Sequence, residues 1–172
     1  MYPYRSNTNI YQKNTSINTR ETNVSVTKND LKQDKRLLEL LEIAQQETMQ
    51  SLSVFDALIK NTALQQDVET LRNAYLDEVK HLKQLQEISY NISGKHITQP
   101  TQTEQTSATE INIENVSSEI EKALHQEMEQ TDFFRELLFA IPETDLRDIL
   151  FEIITDKQDH CIRLCFLFSK YQ

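Results

Sequence analysis

The sequence predicts an all-α protein: four long helices in two similar hairpins, joined by a long crossover. Three observations predict it. Helix breakers are scarce, with one Gly and three Pro among 172 residues, while Leu, Glu, Gln, Ile and Lys dominate the middle and the C-terminal part. Apolar residues recur at spacings of three and four, the period of a single helix face. The second half also repeats the first at a constant offset of 79 residues.

Residues 1–29 are rich in Asn, Thr, Ser, Gln and Tyr and carry no helical period. They read as a polar, disordered or loosely attached tail, with a docking arm as the alternative. The bundle occupies residues 30–172. Its first helix starts near Asn29 or Asp30, either of which can cap it. The inward stripe there is Leu37, Leu41, Ala44, Thr48, Leu52, Phe55 and Ile59, and Asn61 or Thr62 marks the turn. The second helix runs from about Leu64 to Ile92, with Val68, Leu71, Tyr75, Glu78, Leu82, Leu85 and Ile88 or Ser89 inward. Gly94, the lone glycine, falls where a left-handed residue ends a helix. A polar linker, about residues 95–112, follows and contains Pro100. Stretched at about 3.3 Å per residue it reaches roughly 60 Å, against roughly 43 Å for the second helix. It can therefore run back along the bundle.

The third helix runs from Ile113 or Val116 to Ala140, with Ile120, Leu124, Glu127, Thr131, Phe134, Leu138 and Ile141 inward, and Pro142 ends it. Thr144 caps the fourth, Asp145 to Ser169, whose stripe is Leu146, Ile149 or Leu150, Ile153, Lys157, His160, Leu164 and Phe168. The Met, Phe and Leu stripes read as core.

The offset of 79 pairs Ala44 with Ala123, Phe55 with Phe134, Leu58 with Leu137 and Leu71 with Leu150. It also pairs Asp77 with Asp156, His81 with His160 and Leu85 with Leu164, with no gap. Two similar hairpins about an approximate two-fold axis are implied. Glu78 and His81 lie three residues apart and project from one side of the second helix. At the matching positions the fourth helix has Lys157 and His160, the first helix has Thr48, and the third has Glu127. Each group falls near the middle of its helix, so all can share one level of the bundle. Buried there without partners they would cost several kcal/mol, so they must satisfy one another or a metal.

These residues resemble the ferritin-like, rubrerythrin-related proteins of Bacillus and Clostridium type, some of which carry spore-coat-like labels. The resemblance runs from about Leu37 to Tyr171, leaving out most of the linker. Its carriers are Asp77-Glu78-Val79-Lys80-His81, Ile88-Ser89-Tyr90-Asn91-Ile92-Ser93-Gly94, Ala123-Leu124-His125-Gln126-Glu127 with Phe133-Phe134-Arg135, and Leu150-Phe151-Glu152-Ile153-Ile154-Thr155-Asp156 before His160. The resemblance implies a ferritin-like four-helix bundle around a dinuclear iron or manganese centre. That centre takes one Glu from each of the first and third helices and a Glu-x-x-His from each of the other two. Four metal-ligand positions are retained as Glu78, His81, Glu127 and His160. Two are lost, as Thr48 and Lys157. Glu47 is one residue from Thr48, a rotation of about 100° around the helix. Asp156 and Asp159 meet the same objection, although a local distortion would rescue one of them.

Glu78 and Glu127 face Lys157, a sum of −1 with neutral histidines, which one protonated His brings to zero. A divalent ion added there sits beside a like charge. The expected cofactor is therefore none or one divalent metal, iron or manganese, and not a full di-iron pair. The function this suggests is a non-catalytic structural or spore-associated protein with a degenerate centre filled by a Glu–Lys–His network. The alternative is a redox or metal-storage protein with an altered, mononuclear centre. No nucleophile–base–oxyanion set surrounds Lys157, which argues against an enzyme.

A net charge of −9 argues against nucleic acid or an anionic membrane as partner. No apolar run approaches the roughly 18 residues of a membrane span, and the polar start Met1-Tyr2-Pro3-Tyr4-Arg5 lacks a signal-peptide core. A homodimer and spore-structure proteins are the candidate partners. Cys161 and Cys165 sit four apart on one helix and read as reduced, buried thiols of a cytoplasmic-type compartment, with ligation beside His160 as the alternative. Tyr75 reads as a core tyrosine bonded to a carboxylate, the alternative being a redox role. His96 and His125 read as surface residues. The absence of Cys-x-x-Cys excludes a rubredoxin-type iron domain.

Overall fold

Residues 28–94, 116–141 and 144–172 are described by the computed structural model. They form four helices: α1 (Lys28–Asn61), α2 (Gln65–Ser93), α3 (Val116–Ala140) and α4 (Thr144–Lys170). Among the described residues there is no strand. The expected tail up to residue 27, the linker at 95–112, His96 and Pro142 lie outside the described residues, as does the side chain of Thr144.

Helix α1 begins at Lys28, so Asn29 and Asp30 sit inside its first turn instead of capping it. Leu64 precedes α2 without a side-chain cap, its carbonyl accepting from the N–H groups of Asp67 and Val68. At the other end Gly94 takes φ 64° and ψ 10°, and its N–H donates to the Tyr90 carbonyl at 2.8 Å. A residue with a Cβ is strained in that left-handed conformation, which is why the lone glycine sits there.

Helix α1 packs most extensively on α2, and α3 on α4. The two hairpins meet through α1 with α3 and α2 with α4. Two apolar clusters show the directions. One joins Leu37, Leu41 and Ala44 at the start of α1 to Leu85 and Ile88 late in α2, Phe134 and Leu137 late in α3, and Leu150 and Ile153 early in α4. The other joins Phe55 and Leu58, Leu71 and Ala74, Ile120 and Ala123, and Leu164 and Leu167. Helices packed side by side are therefore antiparallel. α2 ends beside the first cluster, and α3 begins beside the second. Between the clusters lies a layer of buried polar residues from all four helices.

The inward stripes are displaced from the expected ones. Leu52, Ile59, Val68, Tyr75, Leu82, Leu124, Leu138 and Phe168 are half-buried. Ser51, Leu58, Ala74, His81, Ala123, Leu137 and Leu167 take the centre. Each helix touches two neighbours, so its buried stripe is wider than a single three-and-four row and the expected row falls along one flanking seam. Met128, Phe139, Phe151 and Phe166 are not core at all: they are exposed. Cys161 is half-buried and Cys165 exposed, which corrects the buried thiol pair, and both thiols are free. None of the described helices is long and apolar enough to cross a membrane.

Candidate functional site

The polar layer is assembled by helical spacing. On α2, Asp77, Glu78 and His81 fall within about one turn. On α4, Asp156, Lys157 and His160 do the same, while α3 adds Glu127 and Gln130, and α1 adds Thr48 and Ser51. Glu78, His81, Lys157 and His160 have no exposed surface.

Lys157 is the hub. Its Nζ donates to Glu78 Oε1 at 3.0 Å, Glu127 Oε2 at 3.3 Å and Gln130 Oε1 at 2.6 Å. It also lies 5.6 Å from the centre of the Phe134 ring, a cation–π distance. Burial alone would lower the Lys157 pKa, but the carboxylates of Glu78 and Glu127 push it above its ordinary 10.5. Burial likewise raises Glu78, yet Lys157 and the His160 and His81 rings beside it hold it well below its ordinary 4.5. The ammonium and the Glu78 carboxylate thus keep each other charged in a site without water contact.

The two histidines are held reciprocally. His81 Nε2 lies 3.1 Å from Asp156 Oδ2, and His160 Nε2 lies 3.4 Å from Asp77 Oδ2. Each Asp thus steadies the histidine of the other hairpin, and both Nδ1 atoms face the centre. His160 Nδ1 is 3.2 Å from Glu127 Oε2 and 3.3 Å from Glu78 Oε1. Burial would lower the His160 pKa, but its bonds with Asp77, Glu127 and Glu78 raise it to about 10. Asp156 is held down to about 2, chiefly by the His81 bond and then, against burial, by Lys80, whose Nζ donates to it at 2.7 Å. With His160 protonated, two carboxylates face two cations.

Sequence reasoning reached six of these positions, and the structure brings four together at the hub. Glu78, Glu127 and His160 offer ligand atoms all within 4.8 Å of one another, a grouping that could hold one metal ion. Lys157 stands among them. His81 lies to one side, its Nδ1 3.4 Å from Glu78 Oε1 but without a hydrogen bond. Thr48 is buried, but its hydroxyl donates to Ala44 O of its own helix at 2.9 Å. Glu47 is half-buried outside the group, its carboxyl raised mainly by burial. Asp156 approaches as a partner of His81, not as a member of the central group. Tyr75 packs half-buried against the second apolar cluster and makes no hydrogen bond to Glu78. His125 is exposed, as expected.

Ser51 and Gln130 were missed. Ser51 Oγ lies 2.8 Å from Glu127 Oε1 and 3.0 Å from Gln130 Oε1, and Gln130 Nε2 donates to Glu47 O at 3.2 Å. The available signal was spacing: each lies three residues beyond Thr48 or Glu127, as His81 lies beyond Glu78. No family model, no curated protein and no solved structure matches this chain.

Proposed function

We propose that this chain is a ferritin-like bundle whose two-metal centre has been replaced by a Glu–Lys–His network, and that it serves as a structural or interaction protein. The observation that carries this reading is the buried Lys157 ammonium, bonded at once to Glu78, Glu127 and Gln130. A dinuclear pair does not fit these residues. Two carboxylates would face two dications and a lysine, with the Thr48 hydroxyl turned into its own helix.

Several contacts support the repeated, ferritin-like architecture. Ser51 meets Gln130, and Glu78 meets Lys157, each pair separated by 79 residues. A two-fold relation brings equivalent positions together in this way. The reciprocal Asp–His contacts follow the same relation. The positions of the α2 end and the α3 start call for a connection along the bundle, as a crossover would provide. The resemblance alone motivates a spore-associated location and spore-structure partners, and the reading of Cys161 and Cys165 as reduced thiols motivates a cytoplasmic one.

The test is elemental analysis of protein expressed in iron-rich medium, with melting in Fe(II), Mn(II) and Zn(II). We expect no metal at full occupancy and no rise in melting temperature. A pair of irons per chain overturns the reading. Thr48→Glu combined with Lys157→Glu should restore the lost carboxylates and create metal-dependent stabilisation.

A second reading is favoured by two orphaned atoms. Glu78 Oε2 and His81 Nδ1 are buried without hydrogen-bond partners, and both are ligand atoms. One divalent ion, iron or manganese, could be held by Glu78, Glu127 and His160 once Lys157 swings aside, giving a redox or storage protein. A ligand of the folded state alone stabilises by about 2.7 kcal/mol at 100 times its Kd, so the same melting series separates the two readings.

A further inference from the structure

The outer face of the α3–α4 hairpin carries five large apolar side chains in water. Phe139 is 79% exposed, Ile162 69%, Phe151 64%, Phe166 61% and Met128 52%. They share one side. On α4, Glu152 and Asp156 bond Lys80 of α2 and Lys170 bonds Asp67 of α2, which fixes the α2-facing flank. Phe151 and Ile162 lie about 80–100° round the helix from that flank by the 100° step per residue, while Phe166 stands next to it, its ring 5.8 Å from Lys170 Nζ. On α3, Gln126 and Gln130 bond α1, and Met128 and Phe139 lie on the flank away from it. Phe151, Ile162, Met128 and Phe139 therefore lie toward the outer α3–α4 seam, with Phe166 at its margin.

The other hairpin is built differently at the same places. Seventy-nine residues earlier stand Met49, Lys60, Arg72, Lys83 and Glu87. Inside, most apolar positions of the two halves match; outside, four apolar residues of the second half replace charged ones of the first.

We propose that this α3–α4 face is the docking surface for a second copy of the chain, packed face to face about a two-fold axis. Area supports a copy as the occupant. At about 200 Å² for a full aromatic residue, the three phenylalanines present about 400 Å². Ile162 and Met128 bring the face to roughly 600 Å², the upper end of what a monomer leaves exposed. A stable interface needs about 800 Å² per partner, and exposed Thr155, Gln158 and Cys165 on the same side of α4 extend it toward that size. The inference is independent of what the polar layer holds.

The test is sedimentation equilibrium of the full chain across the micromolar range. The expected mass is twice the 20.2 kDa of one chain. Phe151→Glu with Ile162→Lys should give single chains with unchanged helical circular dichroism. Leu76→Glu, an exposed apolar residue of the other hairpin, should leave the dimer intact. A single-chain mass for the wild type overturns the proposal, including when removal of residues 1–27 then releases a dimer. So does a dimer that survives the double substitution.

Discussion

At the scale of single residues two buried carboxylates depend on one ammonium. Lys157→Met removes the cation that Glu78 and Glu127 share inside the bundle and leaves two carboxylates buried side by side. Breaking a buried ion pair in this way costs about 3–5 kcal/mol, which a shift of the urea midpoint will measure. The titrating groups add a pH signature. The pKa of His160 is raised from 6.5 to about 10, so its contribution is full below pH 6.5 and is lost as pH climbs through about 10. Asp156 and Glu78 are depressed from 3.8 and 4.5, Asp156 to about 2. Their contributions are full above those ordinary values and are lost as pH falls. Stability should therefore peak between pH 4.5 and 6.5. His160→Gln should flatten the alkaline limb; an unchanged alkaline slope would remove His160 from the network.

At the scale of elements, α2 is held at both ends by different chemistry. Gly94→Ala places a Cβ in the left-handed region with no heavy atom within 4 Å, so the whole cost is backbone strain, about 1–2 kcal/mol. A chemical melt measures it, and a much larger loss would point to a contact that the open space excludes. At the other end Asp67, 1% exposed, receives Lys170 Nζ and the Tyr171 hydroxyl, the latter at 3.0 Å. Asp67→Ala should cost about 1–3 kcal/mol, with amide exchange quickened in the last turn of α4 before anywhere central. The helices and their order were legible because their signals are local: a three-and-four period, a glycine after the last turn, short polar breaks. Asp67 was not, since its partners lie 103 and 104 residues away. Asp77 and Asp156 were legible as a repeated pair but not as histidine partners. Their place beside Glu78 and Lys157 turns them from the axis, and only the neighbouring helix supplies what they bind.

At the scale of the molecule, two apolar clusters enclose a charged middle layer. The apolar clusters can stabilise the bundle alone, because burial of Leu, Ile and Phe has no ionic desolvation to offset. The middle layer carries that penalty, and its salt bridges repay it only through close contacts on nearly every polar atom. Replacing one member and replacing the whole layer should therefore have opposite signs. Substituting Glu78, Glu127, Gln130, Lys157 and His160 together by Leu or Met leaves Ser51 free to bond a carbonyl of its own helix. Asp77, 34% exposed, can turn to water. The expected result is a gain of about 1–4 kcal/mol over the wild type, in place of the loss from Lys157→Met alone, both read from urea melts at pH 7. A gain means that the layer is kept at a cost to stability, as the remnant of a ligand set or for the register of the two hairpins. A loss means that the network, taken whole, is itself a stabilising core, and the ionic centre then needs no other reason to exist.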